Sequence, residues 1–280
     1  MKPTISVIIP AHNEEAYISN CLHALFASSL PAAGAPIEVL VIANGCADAT
    51  VAKAQSVTVP DGWVSTVIDL KEGSKIGALN EGDRRASGAI RVYLDADVTL
   101  ARDLISQLYE ALRADQPRYA SGTVVLERAE SVISRLYGRF WTTLPFLQEG
   151  VPGFGIFAMN ASGRARWGDW PVVIADDMFA RLNFAPNERI GVAATYRWPL
   201  VEGFRNLVRV RRRQNAGVKE IAERYPALLR QEDVVRPGAL GVLRRALRKP
   251  LGFVAYAAVA LAVKSPLFRD KARDNWTRGR

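Results

Sequence analysis

Two carboxylates separated by one residue follow an apolar, β-branched run early in the chain: Asp95-Ala96-Asp97 comes directly after Ile90–Leu94. Oxygen ligands of this kind suit Mg²⁺ or Mn²⁺, and such a cation in turn binds phosphate oxygens. A divalent cation beside a departing diphosphate would stabilise the negative charge that develops as the bond breaks. A bare Asp-x-Asp triplet is more often a solvated turn, so this interpretation depends on the surrounding sequence.

Three further apolar runs precede the triplet, and polar residues follow two of them. The runs are Ile5–Ile9, Ile37–Ile42 and Val64–Ile68, and the polar segments are Pro10–Glu14 and Asn44–Asp48. Helix-like stretches separate most of the runs, which predicts an α/β fold with a Rossmann-like, mostly parallel sheet flanked by helices. Because ligands bind beyond the carboxyl ends of parallel strands, we expect both polar segments and the triplet to meet at one edge of the sheet.

The intervening elements can also be placed. Asn13 is expected to cap a helix whose apolar residues recur at helical spacing, and a second helix should run from Lys75 to Ser87. Later predictions are a helix over Arg102–Arg113, a strand over Ser121–Leu126 and a helix over Ser131–Leu144.

Two features of the second half could do chemistry. Asp176-Asp177 begins another predicted helix. A carboxylate there could act as a base, although acids are also favoured at helix N-termini by the helix dipole. Gly153-Phe154-Gly155 is either a tight turn or a place where backbone approaches a substrate.

Composition and charge limit the classes to which the protein can belong. The chain has 280 residues, 49% of them hydrophobic, which is enough for one large α/β domain or for a domain with an appendage. Its two cysteines and the absence of a signal-peptide pattern at the N-terminus predict a cytoplasmic location. The net charge of +9 is concentrated in residues 201–280, which hold 19 Lys+Arg against 7 Asp+Glu. A basic tail of this kind suits nucleic acid, anionic lipid or a phosphorylated substrate.

An uncharged apolar run, Leu251–Val263, lies in this tail between basic residues. It is short for a membrane span, which needs about 20 residues. Two alternatives remain: a helix buried against the domain, or a helix in the interface of an anionic membrane, which would place the protein peripherally at the inner face.

Four segments together closely resemble the family 2 glycosyltransferases, enzymes of the A-type glycosyltransferase fold. They are Ile5–Glu15, Val41–Asp48, Lys75–Gly82 and Tyr93–Asp97. A fainter likeness resumes at Asp176-Asp177 and at Arg211–Gly217. No single segment is specific, but four of them in the right order are.

The resemblance implies roles on the nucleotide side of a donor site. Pro10, Ala11, Asn13 and Glu14 belong to the segment that lies against the base and ribose. Asn44 stands where the family usually has an acid that reads the base, and its amide could hydrogen-bond a base edge instead. This departure leaves the identity of the nucleotide open.

The resemblance also implies roles nearer the phosphates and the sugar. Lys75 matches a basic residue near the base and phosphates, and Asn80 belongs to a helix that frames the pocket. Asp95 would hold the ribose or sugar, and Asp97, together with Asp95, would bind Mg²⁺ or Mn²⁺.

On the acceptor side, Asp177 matches the acid that acts as general base on the acceptor hydroxyl. Attack from the face opposite the diphosphate would invert the anomeric centre. Arg211 and Arg213 match arginines that some members place near the diphosphate and acceptor, while the Gln and Trp of that motif are missing.

The resulting hypothesis is an inverting, metal-dependent glycosyltransferase that moves a sugar from a nucleotide diphosphate sugar to a hydroxyl of a lipid-linked or polysaccharide-precursor acceptor. Residues 1–100 would form the nucleotide-sugar half and 101–217 the acceptor half of one domain, with 218–280 as a basic helical tail. A nucleotidyltransferase and a non-catalytic sugar-nucleotide-binding scaffold are the alternatives. No nucleic acid partner is expected, because the basic residues lack an interleaved aromatic platform.

Overall fold

The computed structural model describes residues 4–31, 36–148, 150–234 and 237–266. Its strands are β1 (Ile5–Ala11), β2 (Ile37–Asn44), β3 (Trp63–Leu70), β4 (Ile90–Leu94), β5 (Thr99–Leu100), β6 (Tyr119–Leu126), β7 (Ile156–Asn160) and β8 (Arg189–Trp198). Its helices are α1 (Ile18–Phe26), α2 (Thr50–Ser56), α3 (Lys75–Arg85), α4 (Leu104–Leu112), α5 (Val132–Trp141), α6 (Pro145–Gln148), α7 (Ala161–Arg164), α8 (Asp176–Leu182), α9 (Phe204–Arg224), α10 (Ala239–Arg248) and α11 (Pro250–Lys264).

One sheet joins all eight strands in the order β3-β2-β1-β4-β7-β6-β8-β5. The first four strands along the chain pair in parallel. Beyond β4 the sheet is mixed, because β7 runs antiparallel to both β4 and β6, while β6 and β8 are parallel. The predicted α/β class is therefore confirmed, and its parallel part is the half that comes first in the sequence.

Alternation along β1 explains why helices cover both faces of the sheet. Val7 and Ile9 belong to a core cluster with residues of α1 and α4, whereas Ile8 packs in a second cluster with α3 and α8. Successive strand side chains point to opposite faces, so a strand buried on both faces must be apolar throughout. All seven residues of β1 are buried.

The first helix begins later than predicted. Asn13 does not cap α1, which starts at Ile18 after the N-cap residue Tyr17. Asn13 instead has φ of 54° and accepts a hydrogen bond from the Ala47 N–H at 2.8 Å. Asn tolerates the left-handed region better than most residues, and here it turns the chain at the end of β1.

A third cluster lies under the C-terminal helices, where α11 packs against α5 and α9. The predicted boundary between residues 217 and 218 falls inside α9, so this helix joins the two segments instead of separating them. In the described ranges, none of the helices has the length and apolar character needed to cross a bilayer.

Gly82 allows α3 to lie close to β1, because a Cβ at this position would clash with Cγ2 of Ile8. Gly82→Ala is therefore expected to lower the free energy of unfolding by about 1–3 kcal/mol, the usual cost of overpacking a core. Urea denaturation followed by circular dichroism would measure the change. Gly168→Ala is the matched control, since no atom lies within 4 Å of its added Cβ. Equal stability of the two variants would contradict the close packing of α3.

Candidate active site

The ends of β1, β2 and β4 lie side by side, because β1 pairs in parallel with both of the others. Asp95 and Asp97 follow the last residue of β4 directly. The Asp95 side chain is partly exposed, and Asp97 is buried. The sheet topology therefore brings the triplet and the two polar segments to one edge of the sheet, as predicted.

The segment Gly153–Gly155, from the second half of the chain, hydrogen-bonds to the backbone of this triplet. The Asp95 N–H donates to the Gly155 carbonyl at 2.8 Å. Gly153 and Gly155 have φ of 72° and 80°, a region that favours glycine. A Cβ on Gly155 would lie 2.9 Å from the Trp198 ring, so this position requires glycine, and its carbonyl holds the backbone of Asp95.

Lys75 links the triplet to the second acidic pair. Its Nζ lies 3.3 Å from Oδ1 of Asp95 and 3.1 Å from Oδ2 of Asp176. Burial alone would lower the pKa of the Lys75 ammonium, but the carboxylates of Asp176, Asp95 and Asp177 together raise that pKa above its ordinary value. The lysine therefore remains charged and holds two distant segments of the chain at one point.

Lys75 is the first residue of α3, and Asp176 is the first residue of α8. Ser74 caps α3 by accepting a hydrogen bond from the Gly77 N–H at 3.0 Å. The ion pair consequently brings two helix N-termini together at the edge of the sheet. The N-terminus of α3 carries partial positive charge, which favours anionic ligands.

Asp177 has the properties expected of a base. Burial raises the pKa of its carboxyl to about 6, and the charge of Asp176 adds to the rise, while Lys75 and a hydrogen bond from the Met178 N–H oppose it. That N–H donates to Oδ1 at 2.7 Å. A carboxylate with a pKa near 6 accepts a proton more readily than an ordinary aspartate and is still ionised at neutral pH.

Asn44 is the last residue of β2. Its side chain is fully buried, and its Nδ2 donates to the carbonyls of Ala11 at 2.8 Å and Ile42 at 3.3 Å. The amide nitrogen therefore links β2 to β1, while the buried Oδ1 has no hydrogen-bond partner among the described residues. The imidazole of His12 also contacts this residue, with its Nδ1 2.6 Å from the Asn44 carbonyl oxygen.

The other residues of the first predicted segment divide by exposure. Pro10 and Ala11 are the buried end of β1, and Glu14 is buried as well. The Glu14 N–H donates to Oγ1 of Thr50 at 2.7 Å, which ties the segment to the start of α2. Of the predicted residues in this segment, Asn13 alone is exposed at the edge.

Asn80 also has a structural partner. Its Oδ1 accepts from the Trp170 N–H at 2.7 Å, and its Nδ2 lies 3.4 Å from the Trp170 carbonyl. The Trp170 indole donates to Oδ2 of Asp83 at 2.6 Å. Asn80 thus positions the loop that leads into Asp176, which sequence spacing alone did not indicate.

The two predicted arginines lie on α9. Arg211 donates to the Tyr256 hydroxyl at 3.2 Å, and its guanidinium lies 5.7 Å from the centre of that ring. Arg213 is exposed on the same helix. The structure therefore connects Arg211 to α11, and it does not bring either arginine into contact with Asp95 or Asp177.

Comparison with known families agrees with this geometry. The family described as "Glycosyl transferase family 2" matches residues 6–190, which is more than half of the chain and includes both acidic pairs. The chain belongs to glycosyl transferase family 2.

A curated relative in the same class is the glycosyltransferase AglE of Haloferax volcanii. It is 35% identical over 95 residues, which span 34% of this family 2 chain and 31% of AglE. The chain therefore covers about a third of that relative.

Solved structures show the same fold. The mannosyltransferase PcManGT from Pyrobaculum calidifontis, in complex with GDP-Man and Mn²⁺, gives a TM-score of 0.61 at 21% identity, over 94% of this chain and 76% of that one. S. aureus TarS 1–349 with UDP-GlcNAc gives 0.53 at 14%, over 94% and 92%. Glucosyl-3-phosphoglycerate synthase from Mycobacterium tuberculosis, with Mn²⁺ and UDP, gives 0.52 at 19%, over 79% and 80%.

The donor atoms at the strand edge suit a divalent cation that is shared with a ligand. Nowhere in the described ranges do three or more acidic, His or Cys side chains group closely enough to form a complete metal site. Mg²⁺ is commonly bound by one or two carboxylates together with substrate phosphates and water. Asp97 and Asp95 would supply the carboxylates of such an incomplete set.

Proposed function

We propose that this family 2 enzyme is an inverting, metal-dependent glycosyltransferase. It moves a sugar from a nucleotide diphosphate sugar to a hydroxyl of a lipid-linked or polysaccharide-precursor acceptor. The observation that carries the proposal is Lys75, whose ion pairs hold the predicted donor acid Asp95 next to the acidic pair that contains the predicted base. Such an arrangement would supply groups for both sides of a single displacement in one site.

The donor would lie along the edge formed by β1, β2 and β4. Asp97, with Asp95, would hold Mg²⁺ or Mn²⁺, which supplies charge stabilisation to the leaving diphosphate when bound. The ammonium of Lys75 and the N-terminus of α3 add fixed positive charge beside the phosphates. Asp95 would orient the ribose or the transferred sugar.

The acceptor would approach from the side of α8. Asp177 removes the proton from the acceptor hydroxyl as the oxygen attacks the anomeric carbon, and the bond to the diphosphate breaks on the opposite face. This geometry inverts the configuration at that carbon. Asp176 remains paired with Lys75, and its charge raises the pKa of Asp177, while the charge of Lys75 opposes part of that rise.

Support for an acceptor with an apolar portion comes from the loop just before α8. Val172 and Ile174 are exposed there, although apolar side chains of this size are normally buried. The backbone of this loop is held in place, because the Ile174 N–H donates to Oε2 of Glu220 at 2.8 Å. An acceptor with a lipid or other apolar portion would cover these side chains next to the base.

A thermal-shift screen of nucleotide sugars with Mn²⁺ would test the donor part of the proposal. A cognate donor binds only the folded state and should raise the melting temperature, with a smaller rise when EDTA replaces Mn²⁺. Sugar release or transfer is then assayed with the donors that bind. Binding without turnover of any donor would favour the non-catalytic scaffold, and stabilisation by none of them would contradict a donor site.

The pH dependence of transfer should follow the ionisation of Asp177. Its carboxyl has a pKa of about 6, and only the ionised form accepts a proton. The rate at saturating donor should therefore fall as the pH decreases through about 6, about tenfold for each further pH unit. Initial rates between pH 5 and pH 8 would measure this limb. A rate that is flat down to pH 5 would contradict the assignment of the base.

A further inference from the structure

The helix α10 exposes its apolar face, whereas an ordinary amphipathic helix buries that face. Leu240, Leu243 and Leu247 recur on one face, and they are 80%, 55% and 75% exposed. None of the residues of this helix is buried. A helix of a globular domain normally turns its leucines toward the core, so this face lacks the partner that would explain it within the described part of the chain.

The next helix, α11, also exposes apolar side chains. Lys249 is the one residue between α10 and α11. α11 buries Gly252, Ala255, Val259 and Ala262 against the domain, and its other side exposes a stripe of Leu251, Val254 and Leu261. The apolar run predicted from the sequence is thus buried on one side and apolar on the side that faces outward.

Basic residues accompany this surface. Residues 237–266 contain five Lys or Arg and no Asp or Glu. Arg244 and Arg248 are exposed one helical turn apart beside the leucines, and Lys249 is exposed as well. Arg245 instead points back to the domain and donates to the Thr143 carbonyl at 2.8 Å, which fixes the rotation of α10 and keeps its leucines outward.

We infer that the outer faces of α10 and α11 bind the surface of a membrane that contains anionic phospholipids. Leucines would enter the boundary between headgroups and acyl chains, while Arg244, Arg248 and Lys249 would contact the phosphates. A second copy of the chain is a poorer occupant, because pairing this face with itself would bring like charges together with no acid to compensate. Membrane binding does not depend on the transfer reaction, so either can fail alone.

Vesicle co-sedimentation of the full chain would test the inference. The protein should pellet with vesicles of phosphatidylcholine that contain about one third phosphatidylglycerol and should pellet less with pure phosphatidylcholine. Leu240→Gln/Leu243→Gln/Leu247→Gln should lower the partition coefficient at least about tenfold. Arg244→Gln/Arg248→Gln should weaken binding to the anionic vesicles and reduce its salt dependence.

Val59→Gln/Val64→Gln is the matched control. It removes two exposed apolar side chains from the first half of the chain, and it should bind vesicles like the wild type. Glutamine is a good helix former, so the leucine variant should keep the same circular dichroism spectrum and melting temperature.

Three results would overturn the inference. The wild type could stay in the supernatant with anionic vesicles, or the leucine variant could pellet as well as the wild type. Sedimentation velocity without lipid could also show a wild-type dimer that the leucine substitutions convert to a monomer, in which case the face joins two copies of the chain.

Discussion

Asp177→Asn is expected to lower the rate of sugar transfer by about 10²–10⁴-fold, the usual contribution of a general base, while binding of the donor is retained. The substitution keeps the size and shape of the side chain but removes its capacity to accept a proton. The native Asp177 carboxyl has a pKa of about 6, so it is ionised at neutral pH and can accept a proton. Single-turnover assays with the donor found by thermal shift, together with calorimetric donor binding, would measure the two effects separately.

Stability provides an independent readout for the same variant. The folded-state pKa of Asp177 lies above its ordinary value of 3.8, so the ionised carboxyl destabilises the folded state once the pH exceeds that value, and fully above about 6. Asparagine removes this cost. Asp177→Asn should consequently melt at an equal or higher temperature at pH 7, and the gain should vanish below about pH 4.

Asp169→Asn is the matched control, because Asp169 is exposed on the loop before α8. It should keep both the rate and the melting temperature of the wild type. If Asp177→Asn retains transfer at the wild-type rate, the base lies elsewhere. A large loss of rate accompanied by a lower melting temperature would indicate a structural role instead.

Asp97→Asn should cause the second large effect, a loss of at least about 100-fold in metal-dependent turnover. Asp97 is buried directly after β4, so an isosteric amide should leave the strand and the turn at Gly155 in place. The neutral oxygen is a weaker ligand for a hard cation than a carboxylate. Turnover would be titrated with Mn²⁺ at a fixed donor concentration.

The apparent Mn²⁺ requirement separates this assignment from a general loss of folding. The variant should need a much higher Mn²⁺ concentration for any residual activity, with an unchanged melting temperature in EDTA. Asp61→Asn, at an exposed position, should match the wild type in both measurements. Undiminished activity of Asp97→Asn at low Mn²⁺ would refute the metal-binding role.

Local sequence was enough to find the strands that end at the site. The runs at Ile5, Ile37 and Ile90 begin the observed β1, β2 and β4, because residues buried on both faces of a parallel sheet must be apolar in succession. The turn after β1 was harder to predict. Asn13 was assigned as a helix cap, and it adopts a positive φ instead, since asparagine is suited to both conformations and its neighbours do not select one.

The local sequence patterns did not predict which partners the polar side chains would contact. The resemblance implies donor-site roles for Asn44 and Asn80, and the structure shows the contacts that each amide makes: Asn44 links β2 to β1, and Asn80 links the Trp170 loop to α3. An amide has the same hydrogen-bonding groups in either setting. Only the packing of β1 against β2, and of the loop against α3, decides which partners are within reach.

By itself, the sequence determined the α/β class, the position of Asp95-Ala96-Asp97 at a strand end and the membership of family 2, because each depends on residues that are neighbours along the chain. The tertiary structure alone decided that Lys75 joins Asp95 to Asp176, that burial and the charge of Asp176 raise the pKa of Asp177, and that the leucines of α10 face outward. Those properties depend on distances between segments far apart in the sequence and on the rotation of helices against the sheet. Neither quantity is encoded in local spacing.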